Sequence, residues 1–368
     1  MSPRGGPDDD TGAHDPSVLR EGTPAPRRSS LLLHAALFLA TFLTTSMAGA
    51  LYVHGHLNDD NAGWMEMLRQ VMPIGDGLSY SIPLMGILLC HELGHYFTAR
   101  AHGVEASLPF FIPLPPWFGL GTMGAVIGMK RVTADRRKLI DIGAAGPLAG
   151  MAVAIPVLIH GLALSKVGPL APFGQQEGNS LLYAFLKHAV KGAWLPDGHQ
   201  DVYLHPTAWA GWAGLLVTMI NLLPIGQLDG GHVATAYFGN GYNTFARRLH
   251  QIMPAVAIGV FAWVYHLVHV EMGAHWRRDV AISVSVSAAL PWLVWFLLVS
   301  VVRRVGGGAN HPPVDVEPLP ASRKLLFWLV VAVFVAIFMP VPFRATMTGA
   351  GDDANAPPDD ATSASLSP

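Results

Sequence analysis

Seven stretches of this chain are each apolar and long enough to cross a bilayer, a pattern that leaves few folds open. They fall near residues 31–51, 78–99, 139–165, 207–223, 254–270, 280–302 and 325–343. A hydrocarbon core takes about 20 apolar residues at 1.5 Å rise each. Inside it every backbone polar group needs a partner within the protein, so spanning segments are helices or closed barrels. Uninterrupted apolar runs without strict alternation predict helices. The composition agrees, at 51% hydrophobic and only 13% charged, where soluble domains carry about 25% charge. The expected fold is an all-α polytopic membrane protein with about six to seven transmembrane helices. The fifth and sixth windows can also be read as one helix plus an interfacial segment.

Lys and Arg collect at alternate ends of these windows. Arg27 and Arg28 precede the first, and Lys130, Arg131, Arg136, Arg137 and Lys138 follow the second. Arg247 and Arg248 follow the fourth, and Arg303, Arg304, Arg323 and Lys324 lie between the last two, with Arg277 and Arg278 as the exception. By the positive-inside rule the N-terminus is cytoplasmic and an odd number of crossings leaves the C-terminus outside. Residues 1–30 and 346–368 are rich in Pro, Ser, Gly and Asp and too poor in apolar side chains to offset chain entropy. Both are expected to be disordered tails flanking a membrane domain over 31–345. Because no Arg- and Ser-rich, acid-poor leader opens the sequence, the expected location is a bacterial cytoplasmic membrane.

Residues 104–129 are apolar too, yet Pro109, Pro113, Pro115 and Pro116 and several glycines exclude a helix there. Irregular backbone at membrane depth persists where protein or a hydrated cavity satisfies it. This segment is read as a re-entrant Pro/Gly-rich loop or a short β-hairpin, whose free edge could pair with an extended peptide. Gly143, Gly146 and Gly150 in the third window have the spacing of close helix packing. Trp117, Trp194, Trp209, Trp212, Trp263 and Trp292 are read as interfacial anchors.

The net charge of −2, without a basic stripe, excludes a nucleic-acid partner. Cys90 is the single cysteine, so an intrachain disulfide or thiolate metal cluster is excluded and any metal must be held by His and carboxylate. One cluster meets that need. His91-Glu92-Leu93-Gly94-His95 lies within the second window, where ionisable residues are costly and mark function. At helical spacing His91 and His95 share a face and can offer two imidazole nitrogens to one Zn²⁺, with Glu92 beside them to take a proton from water. A chain of this composition produces H-E-x-x-H by chance only about 0.015 times, so coincidence is a poor explanation. A catalytic zinc usually takes a third protein ligand. Asp229, in Asn221-Leu222-Leu223-Pro224-Ile225-Gly226-Gln227-Leu228-Asp229-Gly230-Gly231-His232 at the end of the fourth window, is the buried candidate. Pro224 and Gly226 would bend that helix to turn Asp229 inward. His232 is a candidate to support the site or join it transiently.

The pairing of H-E-L-G-H with N-L-L-P-I-G-Q-L-D-G-G, together with G-A-A-G-P-L-A-G at 143–150, resembles the site-2 protease family of intramembrane zinc metalloproteases (peptidase family M50). His311-Pro312-Pro313 and P-V-P-F near 340 look like the cyanobacterial and plastid branch, in members without a PDZ or CBS domain. The resemblance is strong over about 78–235, the expected catalytic core. It implies His91, His95 and Asp229 as ligands of Zn²⁺, Glu92 as general acid/base, and Asn221 near the reacting carbonyl. It also implies regulated intramembrane proteolysis of membrane-anchored protein substrates in the lipid bilayer, with the site toward the cytoplasmic side. Two other classes share these features: a catalytically silent membrane chaperone or scaffold, which would lose Glu92 or a ligand, and a zinc transporter, which would carry polar residues through several spans.

Overall fold

The computed structural model describes residues 31–54, 69, 71–129, 133–170, 173–272, 278–305 and 311–347. The tail 1–30, the chain beyond 347, Lys130, Arg131 and Arg277 lie outside the described residues.

Each apolar window forms a helix. In chain order the elements are α1 (Leu31–His54), α2 (Leu78–Ala101), β1 (Phe110–Pro113), β2 (Thr122–Val126) and α3 (Arg136–Leu164). Then follow β3 (Lys166–Pro169), β4 (Phe173–Glu177), α4 (Leu181–Lys191), β5 (Gln200–Tyr203), α5 (Pro206–Asn221) and α6 (Asp229–Phe238). The chain continues through α7 (Tyr242–Met272), α8 (Arg278–Val305), α9 (Ala321–Ile337) and β6 (Phe343–Met347). Four helices are long and apolar enough to cross a membrane: Leu31–His54, Arg136–Leu164, Tyr242–His269 and Ala281–Val301. The molecule is therefore helical and polytopic. Of the other three, α5 and α9 have 16 and 17 residues, below the about 20 that cross a hydrocarbon core. α2 is long enough, but His91, Glu92 and His95 lower its hydropathy.

An all-α fold is corrected by three two-stranded antiparallel sheets, β1–β2, β3–β5 and β4–β6. The Pro/Gly-rich segment is the β1–β2 hairpin, with Phe111 opposite Ala125. Its turn passes through Gly119 and Gly121 at φ of 97° and 72°, a conformation that costs glycine little. The stretch between α3 and α5 holds β3, β4, α4 and β5. Strand β6 runs to Met347, two residues into the expected tail.

The sheets also report sidedness. Strand β6, after α9, pairs with β4, after α3, so the ends of those helices lie on one side. Tyr52 at the end of α1 donates to the Leu204 carbonyl at 2.9 Å on that same side. At the opposite end Arg136 donates to the carbonyl of Glu317, and Arg323 holds Asp141 through two hydrogen bonds of 3.1 and 2.8 Å.

The core forms where α2, α3 and α5 cross, around the fully buried Tyr80, Leu84, Ile87, Leu158, Leu215 and Met219. Small residues set its spacing: Gly161 lies against the Ala208 backbone and Gly211 against Leu158, approaches a β-carbon would block. Trp212 is no interfacial anchor, since it is fully buried and donates to the Gly178 carbonyl. Trp292 is likewise buried and donates to Pro340. Trp117, Trp194 and Trp263 remain exposed.

Candidate metal centre

His91, Glu92 and His95 occupy one turn of α2, and all three are buried. Helix α3 makes room for them with its glycines. Gly94 on α2 faces the Ala145 carbonyl, Gly146 faces the imidazole of His95, and a β-carbon at Gly150 would lie 3.2 Å from that of His91. The G-A-A-G-P-L-A-G run is thus a bed for two histidine rings, which packing alone explains.

Asp229 arrives from a different helix. The chain does not bend through Pro224 and Gly226 as the sequence suggested. Instead α5 stops at Asn221, a loop with Gly226 at φ 60° follows, and Asp229 is the first residue of α6. A proline lacks the N–H to continue a helix, so termination is the simpler outcome. Gly230 packs on the carbonyls of Leu222 and Leu223, and Gly231 on those of Ile225 and Gly226, which accounts for two successive glycines after the aspartate. The Tyr242 hydroxyl donates to the Pro224 carbonyl at 2.6 Å and fixes the loop. At the far end of α6, Arg136 donates to the carbonyls of Ala236 and Tyr237, at 2.6 and 2.7 Å, a favourable charge for a helix C-terminus.

The three side chains meet. His91 Nε2 lies 3.1 Å from Asp229 Oδ2, His95 Nε2 lies 3.2 Å from Asp229 Oδ1, and the two Nε2 atoms are 3.2 Å apart. Ligands about 2.0–2.1 Å from a tetrahedral zinc stand about 3.3 Å from one another, so these separations suit that ion. His95 Nδ1–H donates to the Ile142 carbonyl at 2.7 Å, which leaves Nε2 with its lone pair for a metal. Among the described residues this is the group of His, Cys, Asp and Glu able to hold a metal.

The donors line a cavity of about 130 Å³ shared with Glu92, Asn221 and His232. Asn221 Nδ2 is 3.5 Å from His91 Nε2. The hairpin contributes Ala125 and Val126 to the cavity wall, and a second, mostly apolar groove of about 250 Å³ continues along β2 to Val217, Ile220 and Ile225. Sequence reasoning gave His311 no role of its own. In the fold it is buried, with Nε2 2.8 Å from His232 Nδ1, and the adjoining prolines were the only local signal. Other histidines are engaged elsewhere: His54 pairs with Asp76 at 2.6 Å, His188 stacks on Trp194 and His205 caps α5. His56 and His275 lie outside the described residues.

Known proteins point the same way. Peptidase family M50 matches residues 79–263, half of the chain. "Probable zinc metalloprotease EGY1, chloroplastic" of Arabidopsis thaliana is 35% identical over 202 residues, 53% of this chain and 36% of that protein. EGY2 of the same plant, with the same description, is 34% identical over 168 residues, 45% of this chain and 29% of that one. EGY3 of Oryza sativa subsp. indica is 28% identical over 314 residues, 81% and 46% respectively. The chain thus spans about a third to a half of the length of these relatives, whose names place them in the chloroplast rather than the bacterial membrane expected above. No solved structure matches. The matched half runs from the start of α2 into α7 and so contains every donor described here; the chain belongs to peptidase family M50.

Proposed function

We propose that this protein is an intramembrane zinc metalloendopeptidase that hydrolyses peptide bonds in or near the transmembrane segments of membrane-anchored proteins. The observation that carries the reading is the meeting of His91, His95 and Asp229 from two helices, with Glu92 on the same turn and the same cavity. In this reading all seven apolar helices cross the bilayer, the N-terminus is cytoplasmic, and the site lies in the cytoplasmic half.

His91, His95 and Asp229 would hold Zn²⁺, which when bound lowers the pKa of water to about 7 and polarises a carbonyl. Glu92 takes a proton from the attacking water and hands it to the leaving amine. Asn221, beside His91, orients the substrate carbonyl through its amide. A substrate helix has its amides locked in i to i+4 bonds and must unwind before attack. The unwound segment would lie in the groove along β2, whose second edge pairs with no strand among the described residues, and add to that edge as a further strand.

The test is cleavage of a membrane-tethered reporter by purified protein in detergent or nanodiscs, with zinc measured on the same samples. Glu92→Gln is expected to keep its zinc and lose about 10²–10⁴ in rate. A scaffold or a transporter would cleave nothing in either form, and undiminished cleavage by the variant would remove Glu92 from its role.

A further inference from the structure

Helix α4 is apolar on its outer face as well as on the inner face formed by Tyr183 and Leu186, and its Lys187 points inward. A helix on the surface of a soluble domain turns its apolar stripe inward and its charges to water. Here Lys187 is 1% exposed, with Nζ 3.8 Å from both Glu177 Oε1 and Asp201 Oδ1 and 4.7 Å above the Tyr183 ring. The outward stripe at i, i+4 and i+8 is Leu181, Phe185 and Ala189, all exposed and without a charge. Leu181 and Phe185 are 70% and 58% exposed, and Trp194 just beyond the helix is 61% exposed.

The same surface continues onto α9. Between α4 and α9 lies an apolar groove of about 640 Å³, lined by Leu181, Ala184 and Trp194 on one side and Phe334, Val335 and Phe338 on the other. Phe338 caps the end of α9, so the groove sits where that helix would leave the hydrocarbon core. Trp194 stacks on His188 with ring centroids 4.2 Å apart, and amphipathic rings concentrate at this depth.

We propose that α4 is an interfacial helix whose Leu181-Phe185-Ala189 stripe, together with Trp194, rests in the outer leaflet, phospholipid acyl chains entering the groove against α9. The outward apolar face then follows from the solvent: lipid meets the exposed stripe while Lys187 lies inside, between the charges of Glu177 and Asp201. Since α4 leads through β5 into α5, which ends at Asn221, this contact sets the height of the α3–α5 connection relative to the bilayer.

The inference rests on reading α9 as a membrane-crossing helix, and the test separates the two. In a Cys90→Ser background, single cysteines are placed by Phe185→Cys or Ala189→Cys on α4, by Leu329→Cys on α9 and by Gln200→Cys on β5. Each full-length protein carries a nitroxide in nanodiscs of phosphatidylcholine and phosphatidylglycerol, and collision with oxygen is compared with collision with a water-soluble nickel chelate. Labels at 185, 189 and 329 are expected to favour oxygen, and the label at 200 to favour nickel. Oxygen at 329 with nickel at both 185 and 189 overturns the interfacial helix alone, whereas nickel at 329 overturns the span reading and this inference with it. Shielding of 185 and 189 from both reagents would mean that protein, such as a second copy of the chain, covers the stripe, and would also overturn the proposal. Position 189 provides the answer should Phe185→Cys fail to fold.

Discussion

The backbone of His311 exchanges two hydrogen bonds with the side chain of Asn243, its N–H donating to Oδ1 at 2.8 Å and its carbonyl accepting from Nδ2 at 3.0 Å. Asn240 holds Val314 in the same reciprocal way, at 2.8 and 3.0 Å. Two asparagines flanking the start of α7 thus grip an extended strap as a neighbouring strand would, and the strap delivers His311 to His232. Asn243→Ala leaves two backbone groups of a buried residue without partners, at about 1–3 kcal/mol each. Amide hydrogen exchange at His311 should rise while bound zinc stays unchanged. Unaltered exchange there would mean that Asn240 and the prolines fix the strap without Asn243.

The donor set makes a sharper claim about metal. His95→Ala and Asp229→Ala each remove a ligand from a three-ligand site, so zinc retained after dialysis should fall from about one equivalent to near none. Asp229→Ala is the more informative variant, because Asp229 is the donor that ties α6 to α2. Full zinc content in that protein would require a different third ligand.

Gly146 tests whether the glycine bed matters to the site rather than to folding alone. A β-carbon there would sit 2.5 Å from His95 Cε1, and the ring can move only by giving up its bond to the Ile142 carbonyl. Such supporting contacts are worth about 10–100-fold in metal affinity, so Gly146→Ala should weaken zinc binding by at least about tenfold. Gly86→Ala, on the same helix as His95 and with nothing within 4 Å of the added carbon, should bind zinc as the parent does. Equal affinity in both variants would show that the ring is held by other means.

How far these features could be read from the sequence depends on the range of the interaction. The helices were legible because apolar length is a local property, and His91, Glu92 and His95 because one helical turn places them together. Asp229 was found as a residue, but its position at the start of a new helix was not, since a proline in a long apolar run is compatible with either a kink or a stop. The β4–β6 pair was invisible: Phe173 lies opposite Met347, and neither segment carries enough alternation by itself to announce a strand. Trp212 and Trp292 were misassigned for a related reason. Their buried state depends on the carbonyls of Gly178 and Pro340, which only the fold brings to them.

The β4–β6 sheet also carries a pH dependence with a definite sign. Glu177 accepts from the Tyr183 hydroxyl at 2.8 Å and faces Lys187 and Asp201. Burial raises its carboxyl above the ordinary 4.5 and outweighs the opposing pull of Lys187 and Tyr183. A group whose folded pKa exceeds its unfolded one favours folding in its protonated form. Its contribution is therefore complete below 4.5 and lost as pH rises from there through the raised folded value. Protection of the β4–β6 amides, over 173–177 and 343–347 and corrected for intrinsic exchange, should decline across that interval. Glu177→Gln keeps an acceptor for Tyr183 and removes the titrating proton, so its protection should be flatter with pH. Protection in the parent that rises with pH would mean that Lys187 stabilises the charged carboxylate more than burial penalises it, and the sign argued here would be reversed.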